Sequence, residues 1–166
     1  MRILHIAFII ISLFAGVNLH AATESELKAA YVLKFTAFVT LPGEGAANTK
    51  PFTIGVVGSG EMFHCIERTA VGVRVKNSPV VVKRVHSRAD AADCQIVYFE
   101  NDTSLLAALR NEAILTVGDP ETFCGSGGII GFKKVGTKLR FAINKTAATK
   151  SRIGLSAQLI RLAIPE

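Results

Sequence analysis

Between Phe52 and Val117 short apolar runs alternate with helix-like segments, and few folds accommodate that alternation. Residues 52–57 are apolar and bounded by Pro51 and Gly58; residues 80–85 are β-branched and follow Pro79; residues 95–99 and 114–117 are two more such runs. Short runs without polar alternation suit strands buried on both faces. Residues 61–69, 88–92 and 104–111 read as helical segments between them, with Asp102 as N-cap of the last, and residues 120–123 as a helical turn. This order predicts an α/β fold: a mainly parallel twisted sheet with helices on both faces. The expected order around the first three strands is 2-1-3, the flavodoxin-like winding.

The flanking segments follow other patterns. Thr23-Glu24-Ser25-Glu26 has the form of a capping box. Leu27, Ala30, Tyr31, Phe35, Phe38 and Val39 then recur at helical spacing, up to the stop at Pro42. Residues 43–50 read as a polar loop. Near the C-terminus, residues 128–132 and 138–143 read as an antiparallel hairpin joined by Lys133-Lys134-Val135-Gly136-Thr137. In its second strand Leu139, Phe141 and Ile143 alternate with Lys138, Arg140 and Ala142, which predicts one buried and one wet face. Residues 156–162 read as a closing helix, with Leu155, Leu159, Ile160, Leu162 and Ala163 packing.

Residues 1–21 stand apart. Arg2 supplies a positive start, residues 3–17 are almost wholly apolar, and Leu19-His20-Ala21-Ala22 offers cleavage after Ala21 or Ala22. These are the three parts of a secretory signal. The run falls short of the ~20 apolar residues of a spanning helix, and no Cys follows it as a lipoprotein signal requires. The expectation is a signal peptide over 1–21 and a single exported domain over 22–166, a size that suits one core. Removing Arg2 changes the formal charge from +6 to +5. Outside the cytoplasm a basic balance points to anionic glycans, lipid headgroups or an acidic protein face rather than to nucleic acid.

No catalytic constellation emerges. Gly58-Ser59-Gly60 follows a strand and precedes a helix, but Phe63 stands where a dinucleotide fingerprint needs its third glycine. No acidic residue ends the second strand to hold a ribose, so the segment reads as a tight βα turn. After residue 21 only His64 and His86 are available as imidazoles, too few and too scattered for a metal site. There is no G-x-S-x-G elbow and no C-x-x-C. Cys65, Cys94 and Cys124 allow one disulfide and a leftover thiol in an exported chain, and spacing does not choose among the three pairings. Cys124 lies in Phe123-Cys124-Gly125-Ser126-Gly127-Gly128, which reads as a mobile loop with a free or partner-bonded thiol. The expectation is a non-enzyme without cofactor or metal.

Three stretches carry a family resemblance. They are the segment from Lys28 to Phe38 closing on Leu41-Pro42; Leu115-Thr116-Val117-Gly118-Asp119 with Phe123 and the run from Gly127 to Phe132; and Arg140-Phe141-Ala142-Ile143-Asn144 with Ala147-Ala148 and the run from Ser156 to Ala163. Together they resemble the YfiR/HmsC-like periplasmic proteins. The sequence departs from that pattern at Leu41, where the family usually has Trp, at Ile129, where Met is common, and at Arg152, where Gly is frequent. The Cys that some relatives pair with Cys124 is absent, Gly131 lying near its place. The resemblance implies a periplasmic repressor that binds the periplasmic sensor region of an inner-membrane diguanylate cyclase and lowers cyclic-di-GMP and biofilm output. It also implies, as further partners, an outer-membrane lipoprotein that sequesters the repressor and a second copy of the chain. The alternative is a periplasmic small-ligand-binding protein, because α/β sheets offer a cleft at their strand carboxyl ends.

Two site expectations follow. The 2-1-3 order sets Cys94 beside the first strand, whose following helix carries Cys65, and the resemblance points to the same pairing: Cys65–Cys94, with Cys124 unpaired. The partner surface is expected at Arg140, Asn144, Arg152 and Arg161, since arginine suits bidentate carboxylate contacts. The plainer roles are a cap on the following turn for Asn144 and a dipole partner for Arg161. The rival surface is the first helix, through Tyr31, Phe35 and Phe38.

Overall fold

The structure, a computed structural model, describes residues 22–42, 50–58 and 60–165; the expected signal peptide over 1–21 lies outside them. Helix α1 (Glu24–Phe35) opens on the capping box: Thr23 Oγ1 accepts from the Glu26 amide at 3.2 Å, and Glu26 Oε2 accepts from the Thr23 amide at 2.8 Å. The helix stops earlier than its apolar spacing suggests. The Thr36 hydroxyl donates to the Leu33 carbonyl at 2.6 Å, a turn follows, and Val39–Thr40 becomes strand β1, paired antiparallel with β9 (Gly154–Leu155). β-branched side chains suit that pleated pairing better than another helical turn.

Strand β2 (Phe52–Val57) is buried throughout and leads into α2 (Met62–Ala70). A short hairpin follows, β3 (Arg74–Val75) and β4 (Ser78–Arg84), turned by Lys76 and Asn77 at φ 47° and 69°. After α3 (Arg88–Ala91) come β5 (Ile96–Phe99) and β6 (Leu115–Gly118). The helix expected over 104–111 is only a 3-10 turn at Ala107–Leu109. Asp102 Oδ1 accepts from the Ser104 amide at 2.8 Å, two residues on, so it closes a local turn instead of capping a helix. Asn111, at φ 64°, then ends the segment.

Strands β7 (Ile130–Val135) and β8 (Lys138–Ile143) form the C-terminal hairpin. Its loop is two residues, not five: Val135 pairs with Lys138, and Gly136 turns at φ 60°. A glycine at the first central position is what such a turn requires. Helices α4 (Lys145–Lys150), unforeseen in the sequence, and α5 (Ala157–Leu162) complete the chain.

The large sheet runs β3-β4-β2-β5-β6-β7-β8. β4, β2, β5, β6 and β7 are mutually parallel, with β3 and β8 antiparallel at the edges. Alternate residues feed two cores. Ile54, Val56, Ile96, Tyr98 and Val117 meet α1 and α2 on one face; Val57, Val97 and Phe99 meet Val85, Leu106, Leu109 and Phe123 on the other. Phe141, Ile143 and half-buried Leu139 belong to the first core, as expected. Ala142 does not face water: it is fully buried, with Cys124 beneath it and Ile164 bridging to it. Leu162, expected to pack, is instead 54% exposed.

Candidate functional site

In parallel α/β sheets ligands bind beyond the strand carboxyl ends, where neighbouring connections part to opposite faces. Here that place lies between β2 and β5, and a side chain of the protein fills it. Glu100, buried just past β5, accepts from the Gly60 amide at 2.7 Å and the Met62 amide at 3.3 Å, at the start of α2. A carboxylate therefore occupies the position a phosphate takes in nucleotide-binding α/β proteins. The glycines of 58–60 serve this contact: a Cβ on Gly60 would lie 2.1 Å from Glu100 Oε1. Arg84 closes the turn from outside, donating to the Gly58 carbonyl at 3.2 Å with its guanidinium 4.2 Å above the Phe63 ring.

The neighbouring strand end is also sealed from within. Asp119, after β6, pairs with Lys28 of α1 at 3.1 Å; Lys28 pairs with Glu24 at 2.9 Å, and Lys134 reaches Glu24 at 3.0 Å. Burial raises the Asp119 carboxyl, while Tyr98 and Lys28 oppose the rise. Burial, and then the Asp119 charge, push the Tyr98 hydroxyl up. Glu24 is held down at about 2 by its hydrogen bonds from Lys28 and then Lys134. The chain thus engages both carboxyl-edge acids with its own groups, Glu100 through the amides at the start of α2 and Asp119 through the Lys28 ammonium.

The cysteines do not form the expected bridge. Cys65 and Cys94 are free thiols, both buried, and Cys124 is buried as well. Cys65 belongs to the core of Ile54 and Val56, Cys94 to that of Val85 and Val97, so the sheet stands between the two thiols. The strand order does set β5 beside β2; the turn before β5 aims Cys94 at the other face, 2.9 Å from where a Cβ on Gly55 would lie. Burial pushes the Cys94 thiol up to about 11. Cys124 is not an accessible loop thiol: it is buried and directs its sulfur at the Ala142 carbonyl, 3.6 Å away. His64 lies on the exposed side of α2, 3.6 Å from Glu67. No His, Cys, Asp and Glu cluster suited to a metal occurs among the described residues.

The four residues expected to meet a partner divide. Arg140 is exposed on β8 opposite Lys133, Arg152 is exposed at φ 59°, and Arg161 is exposed on α5. Asn144 is structural: its Oδ1 accepts from the Ala147 amide at 2.8 Å, and its Nδ2 donates to the Cys124 carbonyl at 2.9 Å. The rival surface on α1 is largely core. Phe35 is 1% exposed, stacks on Phe132 with ring centroids 6.0 Å apart and meets Phe141 edge-on at 5.2 Å, while Tyr31 packs on the same pair.

Sequence reasoning overlooked a cleft of about 420 Å³ between the 125–127 loop and α4, lined by Arg110, Ser126, Asn144, Thr146, Lys150 and Ser151 among others. Its residues come from three distant segments, so no local motif announces it. A family model described as YfiR/HmsC-like matches residues 25–164. No curated protein matches the chain.

Proposed function

Because the chain belongs to the YfiR/HmsC-like family, whose members are periplasmic regulators of diguanylate cyclases rather than catalysts, we propose that it represses an inner-membrane cyclase by binding that cyclase's periplasmic sensor region. The family match over residues 25–164 carries this reading. Glu100, bound by backbone amides, and Asp119, paired with Lys28, support it, since they leave the usual ligand crevice occupied by the protein's own side chains. A binder of this kind lowers cyclase output only by favouring one sensor conformation over another. Export through a signal peptide over 1–21, with 22–166 as the working domain, belongs to the same proposal.

The surface assigned to the cyclase is the basic C-terminal region: Arg140, Arg152 and Arg161, with Asn144 shaping the backbone between them. Charge reversal tests it. Arg140→Glu and Arg152→Glu weaken capture of the cyclase's periplasmic domain while leaving the melting temperature nearly unchanged. Undiminished binding in both overturns the assignment. Deleting the gene raises cyclic-di-GMP in the host; an unchanged level with a cognate cyclase present overturns repression itself. A pull-down from envelope extract tests the sequestering lipoprotein and the second copy of the chain as further partners. The second reading, a small-ligand binder, is favoured by the cleft beside α4.

A further inference from the structure

We propose that the cleft between the 125–127 loop and α4 binds a small oxyanion, a carboxylate or phosphate carried on a molecule of about sugar size. Its volume of about 420 Å³ lies within the ordinary range for such sites. Two cations line it, Arg110 and Lys150, and no carboxylate does. Neither pairs with an acid among the described residues, and the nearby acid Glu112 is engaged by Arg88. The remaining polar lining, including Ser126, Thr146 and Ser151, supplies hydrogen-bond donors suited to an anion and its hydroxyls.

The site is also held in advance of any ligand. Arg110 donates through Nη2 to the Ser126 carbonyl at 2.7 Å, which spends one of the five N–H donors of its guanidinium. Its Nε would lie 2.9 Å from a Cβ on residue 127, and Gly127 turns there at φ 96°, so a glycine is what lets the arginine cross the loop. Asn144 ties the same loop to α4 through the Cys124 carbonyl. Ser151 is only 5% exposed and Ser126 is half-buried, while Arg110, Thr146 and Lys150 are exposed, so recessed hydroxyls and accessible cations line the same cleft. Fixing the binding groups beforehand lowers the ordering cost of association. The inference is independent of the proposed cyclase contact.

Amide resonances of the ¹⁵N-labelled protein provide the test, in titrations with inorganic phosphate, citrate and glucose 6-phosphate at constant ionic strength. The expected result is saturable shifts at Ser126, Gly127 and Ser151 with at least one probe. Lys150→Gln, an exposed change outside the hydrogen bonds that hold the loop, weakens that binding about tenfold or more, the weight of one charge-assisted contact. Arg110→Gln weakens it at least as much. Absence of saturation with all three probes overturns the proposal. So does sodium chloride producing the same shifts, or unchanged affinity in a folded Lys150→Gln protein. Capture of the cyclase domain by the same variants reports separately on the family function.

Discussion

Glu100 and Gly60 are bound to each other by a 2.7 Å hydrogen bond across the mouth of the sheet, from the Gly60 amide to Glu100 Oε2. The contact is close enough that a side chain at residue 60 would force the Glu100 carboxylate to move. Glu100→Ala leaves the Gly60 and Met62 amides without their acceptor and should cost about 1–3 kcal/mol. Gly60→Ala alone should cost a similar amount by overpacking, about 1–3 kcal/mol. In the double variant the two costs are strongly sub-additive, because the Cβ then occupies space the carboxylate has left. Urea denaturation of the four proteins measures the coupling; strict additivity contradicts the contact.

Lys28 joins α1 to the sheet through Asp119, with side chains only 14% and 15% exposed. Lys28→Met strands a buried carboxylate beside Tyr98, and the expected loss is about 2–4 kcal/mol, since one-sided removal of a buried pair is costly. Asp119→Asn should cost less, about 1–2 kcal/mol, because Lys28 keeps Glu24 as a partner. Burial already raises the Asp119 carboxyl, and losing Lys28 raises it further. The Lys28→Met protein should therefore regain part of its lost stability as pH falls and Asp119 takes up a proton. Thermal melts of both variants across pH 4–7 distinguish this from loss of packing alone, which would be pH-independent.

Glu24 acts in the opposite sense. Its carboxyl falls from 4.5 to about 2 in the folded chain. A depressed acid contributes stability above its unfolded value and loses it as pH drops through the folded value. The contribution is present above pH 4.5 and disappears on the way to pH 2. The side chain is 44% exposed, so solvent and salt screen the pair and the effect should stay within about 1 kcal/mol. Glu24→Gln removes that part of the acid-side slope of melting temperature against pH, and added salt shrinks the difference.

Cys124 and Gly131 face each other across the floor of the β7–β8 hairpin. A Cβ on residue 131 would stand 3.1 Å from Cys124 Sγ. In a disulfide each Cβ sits about 3 Å from the opposing sulfur, given an S–S bond of about 2.05 Å. Gly131→Cys should therefore bridge to Cys124 under oxidising conditions. Thiol titration of the unfolded, unreduced variant should detect two free cysteines where four stand in the sequence, and peptide mapping should link 124 to 131. Four free thiols contradict the geometry.

The sequence by itself determined the central strands β2, β5 and β6 and their burial. The unbroken apolar runs of β2, β5 and β6 exclude a wet face, and the alternation of Leu139, Phe141 and Ile143 places β8 on the first core. The capping box at Thr23 was equally legible, because all its bonds lie within four residues. Apart from the local turns at Asp102 and Gly136, what failed involved residues far apart in the chain. Val39 and Thr40 leave the helical pattern to pair with Gly154 and Leu155, more than a hundred positions away. Cys65 and Cys94 lie on neighbouring elements but on opposite sides of the sheet, a distinction set by one irregular turn before β5. Gly58 and Gly60 read only as a tight βα turn, and the group they admit is Glu100, forty residues on. The cleft of Arg110 and Lys150 exists only because the 125–127 loop, α4 and the segment before β6 meet in space. Local patterns report hydrogen bonds and burial within one element; a site assembled from several depends on which faces the packed sheet turns toward each other.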